Sequence, residues 1–410
     1  MSSTRSARTI YCLRRTDRQI KTFRREGGGG VIRNQPLSDF LTEYTLRNDN
    51  NQYKPVAVGR YGIRTRDSIY TKELAKDYSK NKVIYQDTLT VGMGSVQIDI
   101  GILTEDIRYS VSPAYHTYQI RNINPAYLRY CLECRNQDMF TRFVKRGSRQ
   151  GKSIDLKRWL TYEIPVFDER KQAEIVAVLD RISTQVANRQ EQLELFEQLV
   201  KSRFIELFGD PATNPKGWTT KPLLDMGYCK NGMNFHTGDS GIEMHCLGVG
   251  DFKDLSVIDG TESLPVISLN EAPPEESMLR DGDIVFVRSN GNKALVGRCL
   301  VVYPYNTPTT YSGFCIRYRL TSSEVNTAYL LRVLKADSMR KKMTGRGANI
   351  QNLNQQILAT LDIPLPPIEQ QQQFASFVEQ TDKSKYFIQS TIENYLLIKK
   401  SSWREKHDYN

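Results

Sequence analysis

Three segments carry residue types whose spacing invites catalytic or metal chemistry. Gly147-Ser148-Arg149-Gln150-Gly151-Lys152-Ser153 resembles a phosphate-binding loop, in which backbone N–H groups and a lysine cradle phosphates. Three residues separate its glycines where that motif needs four, and Arg146 stands where the first glycine would fall. The preceding stretch, Met139 to Val144, reads as helix rather than the buried strand that such a loop follows. Asn124-Pro125-Ala126-Tyr127 is close to the Asn-Pro-Pro-Tyr of adenine methyltransferases, yet no strand-linked Gly-x-Gly loop precedes it. It reads better as the start of a helix, where Asn caps and Pro suits the first position. Cys131-Leu132-Glu133-Cys134 has zinc-ligand spacing but lies in the same helical segment without a second pair, and His245-Cys246 is too isolated to complete a site. The four histidines (116, 236, 245 and 407) form no triad. No cofactor, metal or catalytic site is therefore expected.

A binding chemistry fits other residues better. Lys and Arg neutralise phosphates regardless of sequence, whereas Arg, Asn and Gln pair with purine edges in the major groove. Arg60, Arg64 and Arg66 form one cluster around Tyr61. Lys145, Arg146, Arg149, Gln150 and Lys152 form a second, interleaved with glycines that let backbone approach a phosphate. Arg288, Asn290, Asn292 and Lys293 follow a strand. Arg340 and Lys341 precede a glycine-bearing stretch holding Arg346, Asn349, Gln351 and Asn352. A solvated surface accounts for any one of these alone. The two glycine-bearing loops stand out because equivalent places in both halves of the chain are basic. Such clusters are what a double-stranded DNA partner would require.

Those halves are the strongest feature of the sequence. Asn124–Arg129 aligns with Asn326–Leu331 at an offset of 202, Arg146-Gly147-Ser148 with Arg346-Gly347-Ala348 at 200, and Ile164-Pro165-Val166 with Ile363-Pro364-Leu365 at 199. Tyr109-Ser110 likewise matches Tyr311-Ser312. Ordered matches at a nearly constant offset mark a tandem duplication. Each half closes on an Ile-Pro segment followed by a long polar helix. Heptad steps give a seam of Ile175, Leu179, Ile182, Val186, Arg189, Leu193, Phe196, Val200, Arg203 and Leu207. The second helix carries Phe374, Val378, Thr381, Lys385, Ile388, Ile392, Tyr395 and Lys399 in the matching register. Gly209-Asp210-Pro211 should stop the first helix sharply. Two equivalent seams can pair, and a helix of ~40 residues reaches roughly 60 Å, against ~34 Å per turn of DNA. The alternative is two amphipathic helices, each packed on its own domain. Gly282–Arg288, Cys299–Tyr303 and Cys315–Leu320 read as strands.

Composition sets the outer bounds. With 410 residues, 39% hydrophobic and 10% aromatic, the chain can fold into two or three domains. It holds no apolar run long enough for a membrane span and no secretory h-region at its start. Residues 1–36 carry +7 of the net +11, so the basic balance is partly that of a tail, which the run Gly27–Gly30 isolates as flexible. Seven scattered cysteines fit reduced thiols in a cytoplasm.

At this point a family comes into view. Asn214-Pro215-Lys216-Gly217-Trp218-Thr219-Thr220-Lys221-Pro222-Leu223 resembles the opening of a target-recognition domain in the specificity subunits of type I restriction–modification enzymes. Gly345–Leu353 resembles the late glycine-rich loop of such domains, and Ile363-Pro364-Leu365-Pro366-Pro367-Ile368-Glu369-Gln370-Gln371 the start of the spacer helix. Ile164–Gln172 is a degraded copy of the latter. The likeness runs from about Leu37 to Lys400, and the first half departs from it by lacking the Gly-Trp opening. It implies an α+β fold with two pseudo-twofold-related target-recognition domains joined by two long antiparallel coiled-coil helices. The expected divisions are a flexible basic tail (1–36), a first domain (37–167), a central spacer helix (168–209), a second domain (210–367) and a C-terminal spacer helix (368–410). The resemblance also implies a non-catalytic, cytoplasmic subunit with two methyltransferase partners and, in the full complex, two restriction subunits. Each domain would read half of a split DNA target. A nuclease–methyltransferase fusion fragment would need donor-binding and catalytic motifs that are not found here. A regulatory or architectural DNA-binding protein acting alone would form no stable methyltransferase complex.

Overall fold

A computed structural model describes residues 33–60, 62–68, 77–147, 151–235, 238–252, 255–344 and 352–404. These divide into two compact units, one of the residues up to Asn188 together with those from Glu393 onward, the other of Arg189–Ile392. The expected flexible tail falls largely outside the described residues.

Seven helices are named here: α1 (Pro125–Phe143), α2 (Leu156–Trp159), α3 (Glu169–Phe208), α4 (Thr327–Lys335), α5 (Asp337–Thr344), α6 (Gln355–Ala359) and α7 (Ile368–Arg404). The fold is α+β.

In the first unit an antiparallel sheet runs in the order Leu41–Glu43, His116–Ile120, Thr88–Met93, Ile98–Leu103. Leu89, Val91 and Tyr118 pack against Tyr127, Leu128, Cys131 and Met139 of α1, with Trp159 and Ile164 completing the core. The Trp159 indole N–H points at Met139 Sδ, 3.3 Å away. Asn124 caps α1 by accepting from the Tyr127 N–H at 3.1 Å, with Pro125 in the first turn. The near-methyltransferase motif is thus a helix start.

The second unit has a five-stranded sheet ordered Gly227–Asn231, Cys315–Leu320, Asp283–Val287, Cys299–Tyr303, Val257–Asp259. The three strands read from the sequence here are present at those positions, with Gly282 at φ +84° in the preceding turn. Asp283–Val287 is buried throughout. Its side chains alternate between two cores, Ile284 and Phe286 on one face, Val285 and Val287 on the other, as the period of two requires. Asp283 is itself buried, held by a bidentate Arg319 contact at 2.7 and 2.8 Å.

Both units open and close on the same short strand pair. Arg33–Pro36 lies antiparallel to Glu163–Val166, and Thr220–Pro222 to Asp362–Pro364. A turn follows in each, Pro36-Leu37-Ser38-Asp39 and Pro222-Leu223-Leu224-Asp225, in which Leu37 and Leu223 are fully buried. The Leu37 N–H donates to Tyr162 O (3.0 Å) and the Leu223 N–H to Leu361 O (2.9 Å). The first half therefore has an opening of its own, and that opening includes a strand upstream of residue 37.

α3 runs unbroken for 40 residues and α7 for 37. Gly209, at φ +78°, ends α3, and a Cβ there would come within 2.7 Å of Pro215. The Trp218 indole donates to the Phe208 carbonyl at 3.2 Å, satisfying an orphan acceptor of that helix end. Most seam positions in α3 are covered: Leu179 and Val200 are buried, while Ile175, Ile182, Val186, Leu193 and Phe196 are half-buried. The register departs after Val200. Arg203 is exposed, and the buried residues are Phe204 and Phe208. A straight helix of 3.6 residues per turn drifts away from a strict heptad, so steps of four overtake the 3.5 repeat. In α7 the seam holds: Phe374, Val378, Thr381, Ile388 and Ile392 are buried, and Lys385 and Tyr395 half-buried.

Within the second unit, the end of α3 meets the start of α7. Phe374 packs edge-on against Phe204 and Phe208, ring centroids 5.5 and 5.6 Å apart. Further along α7, Lys385 pairs with Glu197, which lies further back along α3. The two helices are antiparallel there.

A buried glutamine locks each long helix to its unit. Gln172 Oε1 accepts from the Asn124 N–H (2.9 Å) and its amide donates to Phe167 O (2.7 Å). Gln371 Oε1 accepts from the Asn326 N–H (2.9 Å), and its amide donates to Pro366 O (2.8 Å) and Glu324 O (3.2 Å). Beside them the Tyr127 and Tyr329 hydroxyls donate to Pro165 O and Pro364 O at 2.8 and 2.9 Å.

Candidate nucleic-acid interface

Residues 288–298 connect the paired strands Asp283–Val287 and Cys299–Tyr303 of the second unit. Asn290 Oδ1 accepts from the Asn292 N–H (2.8 Å), and Asn292 Oδ1 from the Ala294 N–H (3.0 Å), so each amide shapes the connection with its carbonyl end. Two distant stretches join this connection. The Leu353 N–H donates to Arg288 O at 2.8 Å, and Ser289 bridges Asn352. From α5, the Arg340 guanidinium donates to Ala294 O and, at 3.4 Å, to Val296 O. Burial first, then the neighbouring Arg298 charge, lowers the Arg340 pKa. Arg288, Asn290, Asn292, Lys293, Arg340 and Asn352, three separate clusters in the sequence, are thus neighbours in the fold. Lys293 and Lys341 are exposed.

The first unit repeats the arrangement with shorter parts. Gly94-Ser95-Val96-Gln97 joins the strands Thr88–Met93 and Ile98–Leu103, closed by the Gly94 N–H donating to Gln97 O (3.1 Å). Against it lies a hairpin of Val144–Gly147 and Gly151–Ile154, with Arg146 opposite Lys152. The segment read as a glycine loop is therefore β-structure on both sides of its tip. Lys152 donates to Ser95 O and lies over the Phe140 ring, 5.4 Å from its centre. Lys145 pairs with Asp155 at 2.7 Å; its hydrogen bond, ahead of the Arg158 N–H, holds that carboxyl below its usual range. Arg60 and Arg64, both exposed, sit on another hairpin, Val56–Gly59 with Gly62–Thr65, packed through Val58 and Ile63 onto Gly101. Arg66 is half-buried, 5.3 Å from the centre of the Tyr78 ring. Arg149, Gln150, Arg346, Asn349 and Gln351, and the Arg146 side chain, lie outside the described residues.

Sequence reasoning missed Ser95, Val96 and Gln97, which carry no charge to mark them. Their position between two strand-forming runs, at the place Arg288–Lys293 occupies in the other half, is the feature that could have found them. Cys131 and Cys134 share α1; Cys131 is fully enclosed, and burial pushes its thiol up to about 12. Among the described residues no group of three or more His, Cys, Asp or Glu is disposed to hold a metal ion. No helix there is long and apolar enough to cross a membrane. What the two surfaces offer is cations, amides and backbone at the edge of a rigid sheet, a chemistry of binding.

Comparison with known proteins agrees. Residues 276–397 match the type I restriction modification DNA specificity domain. Over 253 residues the chain is 27% identical to the specificity subunit of the type I restriction enzyme StySPI from Salmonella potsdam. That match covers 57% of this chain and 53% of the relative, so the chain spans about half the length of the curated relative it matches. The S subunit of a type I restriction-modification system from M. genitalium superposes with a TM-score of 0.51, at 12% identity, over 92% of this chain and 96% of that one. A chain from a structure addressing complex assembly and conformational transition of the type I R-M system gives 0.52 at 18% identity, over 91% and 96%. At such identities these two likenesses concern the fold.

Proposed function

We propose that this chain, a relative of the specificity subunits of type I restriction–modification enzymes, reads a split DNA target, one half with each unit, and performs no chemistry itself. One observation supports the reading: the hairpin Val144–Gly147 with Gly151–Ile154 in the first unit, and Arg340 and Asn352 in the second, lie against the connection between two central strands. In this reading the cations bind phosphates and the neighbouring amide side chains reach base edges. The second unit presents Arg288, Asn290, Asn292, Lys293 and Asn352, the first Ser95, Gln97, Lys145 and Lys152. Arg60 and Arg64 supply phosphate contacts.

The partners follow from the same reading. Two methyltransferase subunits dock on the chain, two restriction subunits join in the full complex, and the assembly works on DNA in the cytoplasm. The long helices α3 and α7 fix how many base pairs are left unread between the half-sites. The test is co-expression with a type I methyltransferase subunit, co-purification, and genome-wide mapping of methylated bases. A stable complex and a two-part motif are expected, and replacing residues 210–367 with another such domain should alter one half only. A chain that binds DNA without holding a methyltransferase, or a replacement that changes both halves, would overturn it.

A further inference from the structure

The second unit's surface holds one residue whose chemistry differs from its neighbours. Phe314 is 60% exposed, yet its backbone is held by hydrogen bonds through both its carbonyl and its N–H. Its carbonyl accepts from the Arg288 N–H (2.8 Å) and the Ser289 N–H (3.3 Å), and its own N–H donates to Ser312 Oγ (3.3 Å). Next to it, the Gly313 N–H donates to Met233 O (2.6 Å), and Gly313 O accepts from the Arg288 guanidinium (3.3 Å). A Cβ on Gly313 would fall 2.1 Å from Asn234 Oδ1 and 3.2 Å from Met233 O, so glycine lets both groups lie close against the turn that presents the ring. The ring is thus held out from a fixed support, beside Arg288, Ser289 and the bridged Asn352.

On a polar surface facing DNA, a rigid phenyl ring has a single complementary feature among the base edges. Phosphates and purine edges are polar; the 5-methyl group of thymine is the apolar mark in the major groove. We propose that Phe314 is a specificity-determining residue whose ring covers the 5-methyl group of one thymine in the half-site read by the second unit. This rests on the DNA-reading function proposed above. A backbone held in place suits discrimination, because little ordering of the chain is left to be lost on binding.

The experiment uses the full chain in complex with its methyltransferase and the target found by methylation mapping. Thymines of the second unit's half-site are replaced one at a time by uracil, which removes only the methyl group. The wild-type complex is expected to lose on the order of 5-fold in affinity at one position, the scale of one apolar carbon buried. Phe314→Ala should bind the unmodified target about that much more weakly and be indifferent to uracil at that position, while Phe314→Leu keeps part of the discrimination. A wild-type complex indifferent to every uracil, or a Phe314→Ala complex retaining the wild-type loss, would overturn the assignment. The uracil series on wild type needs no variant to fold. A wild-type complex without any preferred sequence would instead sink the reading beneath it.

Discussion

Gln371 sits in the first turn of a helix with none of its surface exposed, satisfying three backbone groups at once. Replacing it by leucine keeps most of the volume and leaves the Asn326 N–H and the Pro366 and Glu324 carbonyls without their partner. Each buried group left unpaired costs about 1–3 kcal/mol, so Gln371→Leu should lower unfolding free energy by roughly 3 kcal/mol in urea titration. A variant as stable as wild type would show that the clamp contributes nothing. Its role was not legible in the sequence, since a glutamine among glutamines at a helix start looks solvated. Asn124 and Asn326 were legible, because capping is local and acts within three residues. Asp283 shows the opposite case: it reads as a turn residue but spends its charge on Arg319, a partner 36 positions away.

The elements follow the same division between near and far. Helix ends, the Gly209 stop and three central strands were visible because turn residues and periodicity fix them locally. The opening of the first unit was hidden by its different wording, Pro-Leu-x-Asp without the Gly-Trp. The seam of α7 was readable as far as Tyr395, whereas that of α3 slipped beyond Val200, where the helix meets α4 and α7 together. Phe204 and Phe208 there surround Tyr329 and Phe374 at centroid distances of 4.9 to 5.8 Å. Phe374→Ala would empty the centre of this aromatic cluster and should cost about 3–5 kcal/mol, measured as cooperative unfolding of the second unit. A loss under 1 kcal/mol, measured the same way, would mean that the two helices are not held together by this cluster.

For the molecule as a whole, duplication explains why candidates far apart in sequence become neighbours twice over. The meeting of Arg288 with Leu353 could not be read ahead of the fold, because strand connections and loop returns are set by sheet topology. If α3 and α7 set the unread gap, inserting one heptad into each at matched positions adds roughly 10 Å at ~1.5 Å per residue, about three base pairs of DNA. Methylation mapping should then show the same two half-sites with a longer gap. An unchanged gap would remove the spacing role from the helices.

The strand pair at the base of each unit has a bearing on inheritance. Arg33–Pro36 lies beside Glu163–Val166 and Thr220–Pro222 beside Asp362–Pro364, so the polypeptide enters and leaves each unit through adjacent doors. If each unit reads half of a target as proposed, a recombining gene can exchange everything between two such doors for a foreign insert whose ends meet in the same way. New target preferences can arise in this way by crossover, without a single substitution in the parts that hold the units.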